Sequence, residues 1–180
     1  IDTIDPKYTD FMQLNGKRFM NVTGMGMDVS VLELCKRMKV FKGKLQYLIA
    51  LIRILLKFDW HKFTVQIDDK PAEKKTVLLV AACNGKYFGG GMPISPLSDI
   101  SDNYINLIIV NKLNKWKIPV ALINLLRGKL LKYDFVENIL CKSVNITTPD
   151  GKTVINIDGE IVKDIPFECS LVKNQLKMFR

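Results

Sequence analysis

Apolar and polar positions divide the chain into a largely helical stretch near its start and a β-rich remainder. Residues 1–18 are polar and punctuated by Pro6, Asn15 and Gly16, which predicts a leading strand and a turn. RFMNVTGMGMD (18–28) reads as a short apolar strand that breaks at Gly24 and Gly26. Over 28–57 the apolar residues Val31, Leu32, Leu34, Cys35 and Met38 recur near three-and-four spacing, one face of a helix. Gly43 interrupts that pattern, and a second helix is predicted over 44–58. Downstream the period changes. KFTVQIDD alternates, TVLLVAACN is a continuous apolar run suited to a strand buried on both faces, and YINLIIVNKL predicts another strand. KIPVALINLLRGKLL is predicted helical from Pro119, with proline in the first turn. KSVNIT, TVINI, PFECSLV and QLKMF then read as short strands, with PDG (149–151) and Asp158-Gly159 as hairpin turns. The expectation is one α+β, mainly β domain over 1–180, an antiparallel sheet or sandwich with its helices segregated in sequence.

Composition narrows the classes. With 48% hydrophobic residues the chain can bury a core without disulfides or metal. The first residue is Ile1 rather than Met, from which a processed or partial chain is expected, any partner half preceding it. Lys and Arg outnumber Asp and Glu by 27 to 18, and the net charge of +9 favours anionic partners such as phospholipid headgroups, nucleic acid or phosphorylated small molecules. LQYLIALIRILL in the second helix is apolar but short of the roughly 20 residues of a membrane span. It is either a buried core helix or a helix inserted partway at a lipid interface, with Lys57, Trp60 and Lys62 beside it. Cys35, Cys83, Cys141 and Cys169 match no zinc spacing and read as reduced core thiols. His61 is the only histidine, and no nucleophile elbow accompanies it, so hydrolase chemistry is disfavoured.

Three features carry candidate chemistry. Gly89-Gly90-Gly91 lacks the lysine of a P-loop, and is either a tight loop or backbone bared to approach a ligand headgroup, with Asn84 just after the apolar strand. Asp99 and Asp102 lie three apart, an oxygen-donor pattern suited to Mg²⁺ or Ca²⁺ once backbone carbonyls complete it, or simply a solvated turn. Glu160, directly after Asp158-Gly159, is either a solvated strand residue or a positioned base.

Taken in order, FMNVTGMGMD, GKLQYLIALIRILL, NGKYFGGGMPISPLSDISDN and IDGE resemble the soluble diacylglycerol kinase family, which includes bacterial lipid kinases and sphingoid-base kinases. The resemblance runs from about Phe19 to Phe179. It implies the C-terminal β-sandwich of a two-domain NAD kinase/diacylglycerol kinase-like architecture. The Gly-Gly-Asp-Gly-Thr motif of the family's N-terminal nucleotide domain does not occur in residues 1–180. By resemblance Glu160 is the catalytic base; Asn84, Gly89, Gly90, Gly91 and Asp158 shape the substrate cleft; and Mg²⁺ takes the Asp102 carboxylate with the carbonyls of Asp99 and Tyr104. ATP is the phosphoryl donor, held mainly by the absent domain, and a lipid alcohol, diacylglycerol foremost, is the acceptor. Asn103 stands where the family commonly has Gly, and Asn is the next-best residue for a left-handed turn; Asn106 stands where an Asp is common. Implied partners are the chain's own nucleotide-binding domain, an anionic membrane surface bound peripherally from the cytoplasm, and a homodimer through exposed strand edges. Arg53, Lys57, Lys62, Lys112, Lys115, Lys117, Arg127, Lys129 and Lys132 are the candidate membrane contacts. The isolated chain is expected to fold without turning over ATP. A non-catalytic module holding an acidic lipid is the alternative, an NAD kinase fits less well, and nucleic acid is not expected because the basic residues are dispersed.

Overall fold

The computed structural model describes residues 7–38, 43–57 and 59–178. Predicted features at residues 1–6, at Phe58 and at Phe179 lie outside them. Eleven strands and three helices make up the described residues, and every strand pairing is antiparallel. The first strands are β1 (Lys7–Leu14), β2 (Lys17–Phe19) and β3 (Val22–Gly26). Helices α1 (Met27–Arg37) and α2 (Gly43–Lys57) follow, then β4 (His61–Ile67), β5 (Glu73–Cys83) and β6 (Ile105–Asn111). Next come α3 (Ile118–Leu126), β7 (Val136–Cys141), β8 (Ser143–Thr147), β9 (Val154–Ile157), β10 (Glu160–Lys163) and β11 (Phe167–Met178).

β5 organises the sheet. Along one edge its first half pairs with β4 (His61 opposite Val77) and its second half with β3 (Val22 opposite Cys83), while its other edge pairs with β6. The path β10-β9-β3-β5-β4-β8-β11-β1-β2 curls so that residues from ten strands meet in one cluster, including Met12, Phe19, Val80, Leu107, Ile155 and Phe167. The opposite face of β5 and β6 lies under the helices, where Leu79, Ala81, Cys83, Ile108 and Val110 meet Val31, Leu51 and Leu125. Both faces of these strands are therefore buried, which is why their sequences run apolar without alternation. A bulge between Val77 and Leu79 turns both Leu78 and Leu79 toward the helices.

The structure corrects several boundaries. The strand predicted through 18–28 is two, parted at Met20-Asn21, and β3 runs through Gly24. α3 ends at Leu126, ahead of Gly128, whose φ is +67°. β11 is one strand where PFECSLV and QLKMF predicted two. PDG does not close a hairpin: β8 pairs with β4 and β11, whereas β9 pairs with β3 and β10, so the turn begins a crossing loop. Asp158-Gly159 does close one, with Glu160 opposite Ile157 and φ of +46° and +92°, as a two-residue turn requires. Among the described residues no helix is long and apolar enough to cross a membrane.

Candidate functional site

The Asp158-Gly159 turn is tied to a segment far away in sequence. The Asp158 carboxylate accepts the amide N–H groups of Met20 at 3.0 Å, Asn21 at 3.2 Å and Val22 at 2.8 Å, and its own N–H donates to the Val22 carbonyl at 2.9 Å. Charge-assisted bonds to three successive amides fix the turn and, with it, the start of β10. Asn156 accepts the Gly159 N–H at 2.8 Å, closing the turn from inside. The turn borders a cleft of about 320 Å³ lined by Asn21, Tyr47, Phe88, Gly89, Gly90, Asn156, Asp158 and Gly159, and Glu160, the next residue, is exposed at the start of β10.

The triple glycine has two physical causes. Gly89, Gly90 and Gly91 all have positive φ (+45°, +76° and +89°), and a Cβ on Gly89 would lie 2.2 Å from the Tyr47 ring. Tyr47 in turn meets Phe88 edge-on, 5.9 Å between centroids. Burial, and next the charge of Asp28, pushes the Tyr47 hydroxyl well above its usual range. Asp28 opens α1 beneath this cleft and is buried. Its Oδ2 accepts from Asn156 Nδ2 at 3.2 Å, and its Oδ1 meets no donor among the described residues. Burial raises it to about 6. Gly24 makes room for it, since a Cβ there would sit 2.8 Å from Oδ2.

The acidic loop is built from short-range turns and one distant acid. Asp99 Oδ1 accepts the Ser101 N–H at 3.0 Å and the Ser101 hydroxyl at 2.7 Å, and Asp102 Oδ1 accepts the Tyr104 N–H at 2.9 Å. Asn103 has φ +65°, the left-handed turn expected of it, and its N–H donates to the buried Asp10 carboxylate at 2.9 Å. Burial, and then the charges of Asp99 and Asp10, raises the Asp102 carboxyl above its ordinary value, against the lowering bond from Tyr104. An all-oxygen set under mutual repulsion has the chemistry of a hard-cation site. Among the described residues no three acidic, His or Cys side chains gather to hold a metal unaided, so backbone carbonyls are needed to complete it.

A family model matches residues 21–180, the YegS C-terminal NAD kinase beta sandwich-like domain. The chain belongs to this family. A Staphylococcus aureus (strain MRSA252) relative named "putative lipid kinase" is 26% identical across 94% of this chain and 55% of its own length. A Bacillus anthracis Sterne crystal structure titled "putative diacylglycerol kinase" superposes with TM-score 0.70 at 20% identity, over 97% of this chain and 56% of that one. A second structure from the same strain, titled as a diacylglycerol kinase, gives TM-score 0.66 at 17% identity over 97% of this chain and 54% of that one. The chain spans about half the length of the relatives it matches.

Within this YegS-type domain the expected cleft residues separate. Gly89, Gly90 and Asp158 line the cleft, but Gly91 does not. Asn84 is no cleft wall: it is fully buried, and its Nδ2 donates to the carbonyls of Asp10 at 3.0 Å and Met20 at 2.9 Å, strapping the acidic loop's anchor to the Asp158-bound segment. Asp158 faces the cleft, yet its carboxylate is committed to backbone amides. Asn106 is buried against Asn138 rather than facing the loop's oxygens. Asp10, Asn21, Asp28, Tyr47 and Asn156 are the residues that sequence reasoning missed. The pair Gly24/Asp28 in GMGMD was the one available signal, a glycine placed where a buried carboxylate needs space. His61 lies instead in a separate groove of about 560 Å³, stacked 5.7 Å from Phe63.

Proposed function

We propose that the chain is the lipid-side domain of an ATP-dependent lipid kinase, with Glu160 as the general base for a lipid hydroxyl. The observation that supports this reading is the position of Glu160: an exposed carboxylate directly after Asp158 and Gly159, which line the cleft, on a turn held by hydrogen bonds from three backbone N–H groups to the Asp158 carboxylate. The lipid O–H proton passes to the Glu160 carboxylate as the oxygen attacks the γ-phosphorus of ATP, and ADP departs with its electron pair. ATP would be held by a nucleotide-binding domain beyond this chain.

The Asp102 carboxylate and the carbonyls of Asp99 and Tyr104 would hold Mg²⁺. Bound there, the ion would neutralise the acidic loop and brace it near the cleft. The chain's own residues order that loop, through Asp10 on Asn103 and Asn84 on Asp10. An apolar slot of about 40 Å³ between α2 and α3, lined by Leu51, Leu55, Ile118, Ala121, Leu122 and Leu125, would admit only the end of an acceptor's hydrocarbon.

Glu160→Gln tests the assignment in the longer protein, with labelled ATP, Mg²⁺ and a panel of lipid alcohols in mixed micelles. The expected loss in kcat is about 10²–10⁴-fold with an unchanged thermal melt. Label entering a lipid at wild-type rate in this variant removes Glu160 from the role. Tight lipid binding without transfer in the wild type makes the domain a lipid-holding module.

A further inference from the structure

Between Asn111 and Asp134 the chain carries Lys112, Lys115, Lys117, Arg127, Lys129 and Lys132 and no acid, two thirds of the net charge of +9. In the middle of this stretch lies α3, IPVALINLL, in which Asn124 is the only polar residue. A helix apolar on all sides belongs either in a core or in lipid. Only one side of α3 is in the core: Ile118 and Leu125 are buried, and Ala121 and Leu122 half-buried, against the helix-side cluster. On its other side Val120, Ile123 and Leu126 are 48, 47 and 45% exposed, and Trp116, one turn before Val120, is 88% exposed. Among the described residues nothing covers these side chains fully, although burying such groups is what stabilises the rest of the domain.

The indole is presented by an ordered cap. Lys115–Lys117 form one 3-10 turn leading into α3, and Asn114 Oδ1 accepts the Trp116 N–H at 3.1 Å. An exposed tryptophan beside a short apolar helix, ringed by cations, has the composition of a membrane-interface element: the indole settles at headgroup depth and Lys and Arg meet lipid phosphates. A second copy of the chain is the poorer occupant, since a symmetric contact would set six cations against six.

We propose that Trp116 and the outer face of α3 dock in the headgroup layer of an anionic bilayer, with the cations of 112–132 contacting lipid phosphates. This deepens the lipid-kinase reading, because an acceptor that resides in a bilayer is reached from a domain docked on that bilayer; the docking itself does not depend on catalysis.

The test uses the purified protein with phosphatidylcholine vesicles, with and without phosphatidylglycerol, and follows co-sedimentation and quenching of tryptophan emission by brominated lipid. Preference for the anionic vesicles, weakened by salt, is expected, with a blue-shifted and quenched emission. Lys117→Gln and Arg127→Gln should each weaken binding about fivefold. Trp116→Ala should weaken it about tenfold and remove most of the quenching, because the one tryptophan left, Trp60, is half-buried against the helix-side core. All three side chains are exposed, and an unchanged thermal melt establishes that the variants fold. Equal binding to both vesicle types, or wild-type binding by Trp116→Ala, overturns the proposal. So does a solution dimer dispersed by Trp116→Ala, which would assign the face to self-association. Vesicle binding is read without ATP, and phosphorylation of a short-chain lipid alcohol dispersed in solution is read without vesicles. Docking without transfer therefore counts against the kinase reading alone, and transfer without docking against this proposal alone.

Discussion

The two faces of β5 and β6 are buried by different means. On one face the sheet curls over itself, and every buried residue of the cluster there comes from a strand. On the other the covering comes from α1, α2, α3 and the loops between strands, and it is incomplete. The helix face retains a slot of about 40 Å³ between α2 and α3, the cleft beside Tyr47, a buried carboxylate with an unpartnered oxygen and an exposed apolar stripe. The sheet-lined face makes stability through dense packing. The helix-lined face keeps a cleft, a slot and polar defects of the kind a ligand uses.

Identical substitutions on the two faces should expose this difference. Leu107, on β6, is completely buried among strands, and Leu125, on α3, borders the slot. Leu107→Ala leaves a void that hydrogen-bonded strands cannot close, whereas α3 can settle inward after Leu125→Ala. Within the range for such changes, about 4–5 kcal/mol is expected for Leu107→Ala and about 2–3 kcal/mol for Leu125→Ala, measured by urea unfolding. Equal losses would mean that the helix face is packed as rigidly as the other, and the contrast would fall.

Charge provides the next contrast. Asp28 titrates at about 6 in the folded chain, against 3.8 ordinarily, because burial disfavours its anion. Between those values the native state keeps a proton that the unfolded chain has already released. Stability therefore falls as pH rises from about 4 to about 6 and levels off above, by roughly 3 kcal/mol at most. Asp28→Asn should flatten that part of the profile and leave stability below pH 4 near wild type. A profile unchanged by the substitution would place the titration on another group.

What could be read from the sequence follows the range of the interactions. The apolar run of β5 announced a strand buried on both faces, that of β6 announced a strand, and Asp158-Gly159 announced its turn, since turn geometry is settled by the two residues themselves. β7 went unseen. Among the described residues it pairs only with β6, and its half-buried Glu137 and Asn138 are held by Lys75, Asn111 and Asn106, so it has neither alternation nor an apolar run. Glu160, the glycines and the acidic loop stood out as motifs. Asp10 and Asp28 did not, because their partners Asn103 and Asn156 lie 93 and 128 residues away, and no local spacing encodes such contacts. Asn84 shows the converse: it adjoins a motif in sequence, but its side chain is buried and donates to the carbonyls of Asp10 and Met20.

The smallest expected effect is also the most specific to the helix face. Ala121 lines the slot from α3 and is half-buried, so valine there projects two added methyl groups into existing space. Filling a void gains roughly 0.8 kcal/mol per buried carbon, and replacing alanine by a β-branched residue within a helix loses up to about 0.7 kcal/mol. Ala121→Val should therefore stabilise the domain by no more than about 1 kcal/mol. If the slot accommodates hydrocarbon, the same change in the longer protein should raise KM for long-chain lipid alcohols while leaving short-chain ones unaffected. A loss of stability would show the slot too tight to admit even methyl groups. An equal change in KM for all chain lengths would move the hydrocarbon site elsewhere, leaving the slot as a packing gap on the side of the domain that can tolerate one.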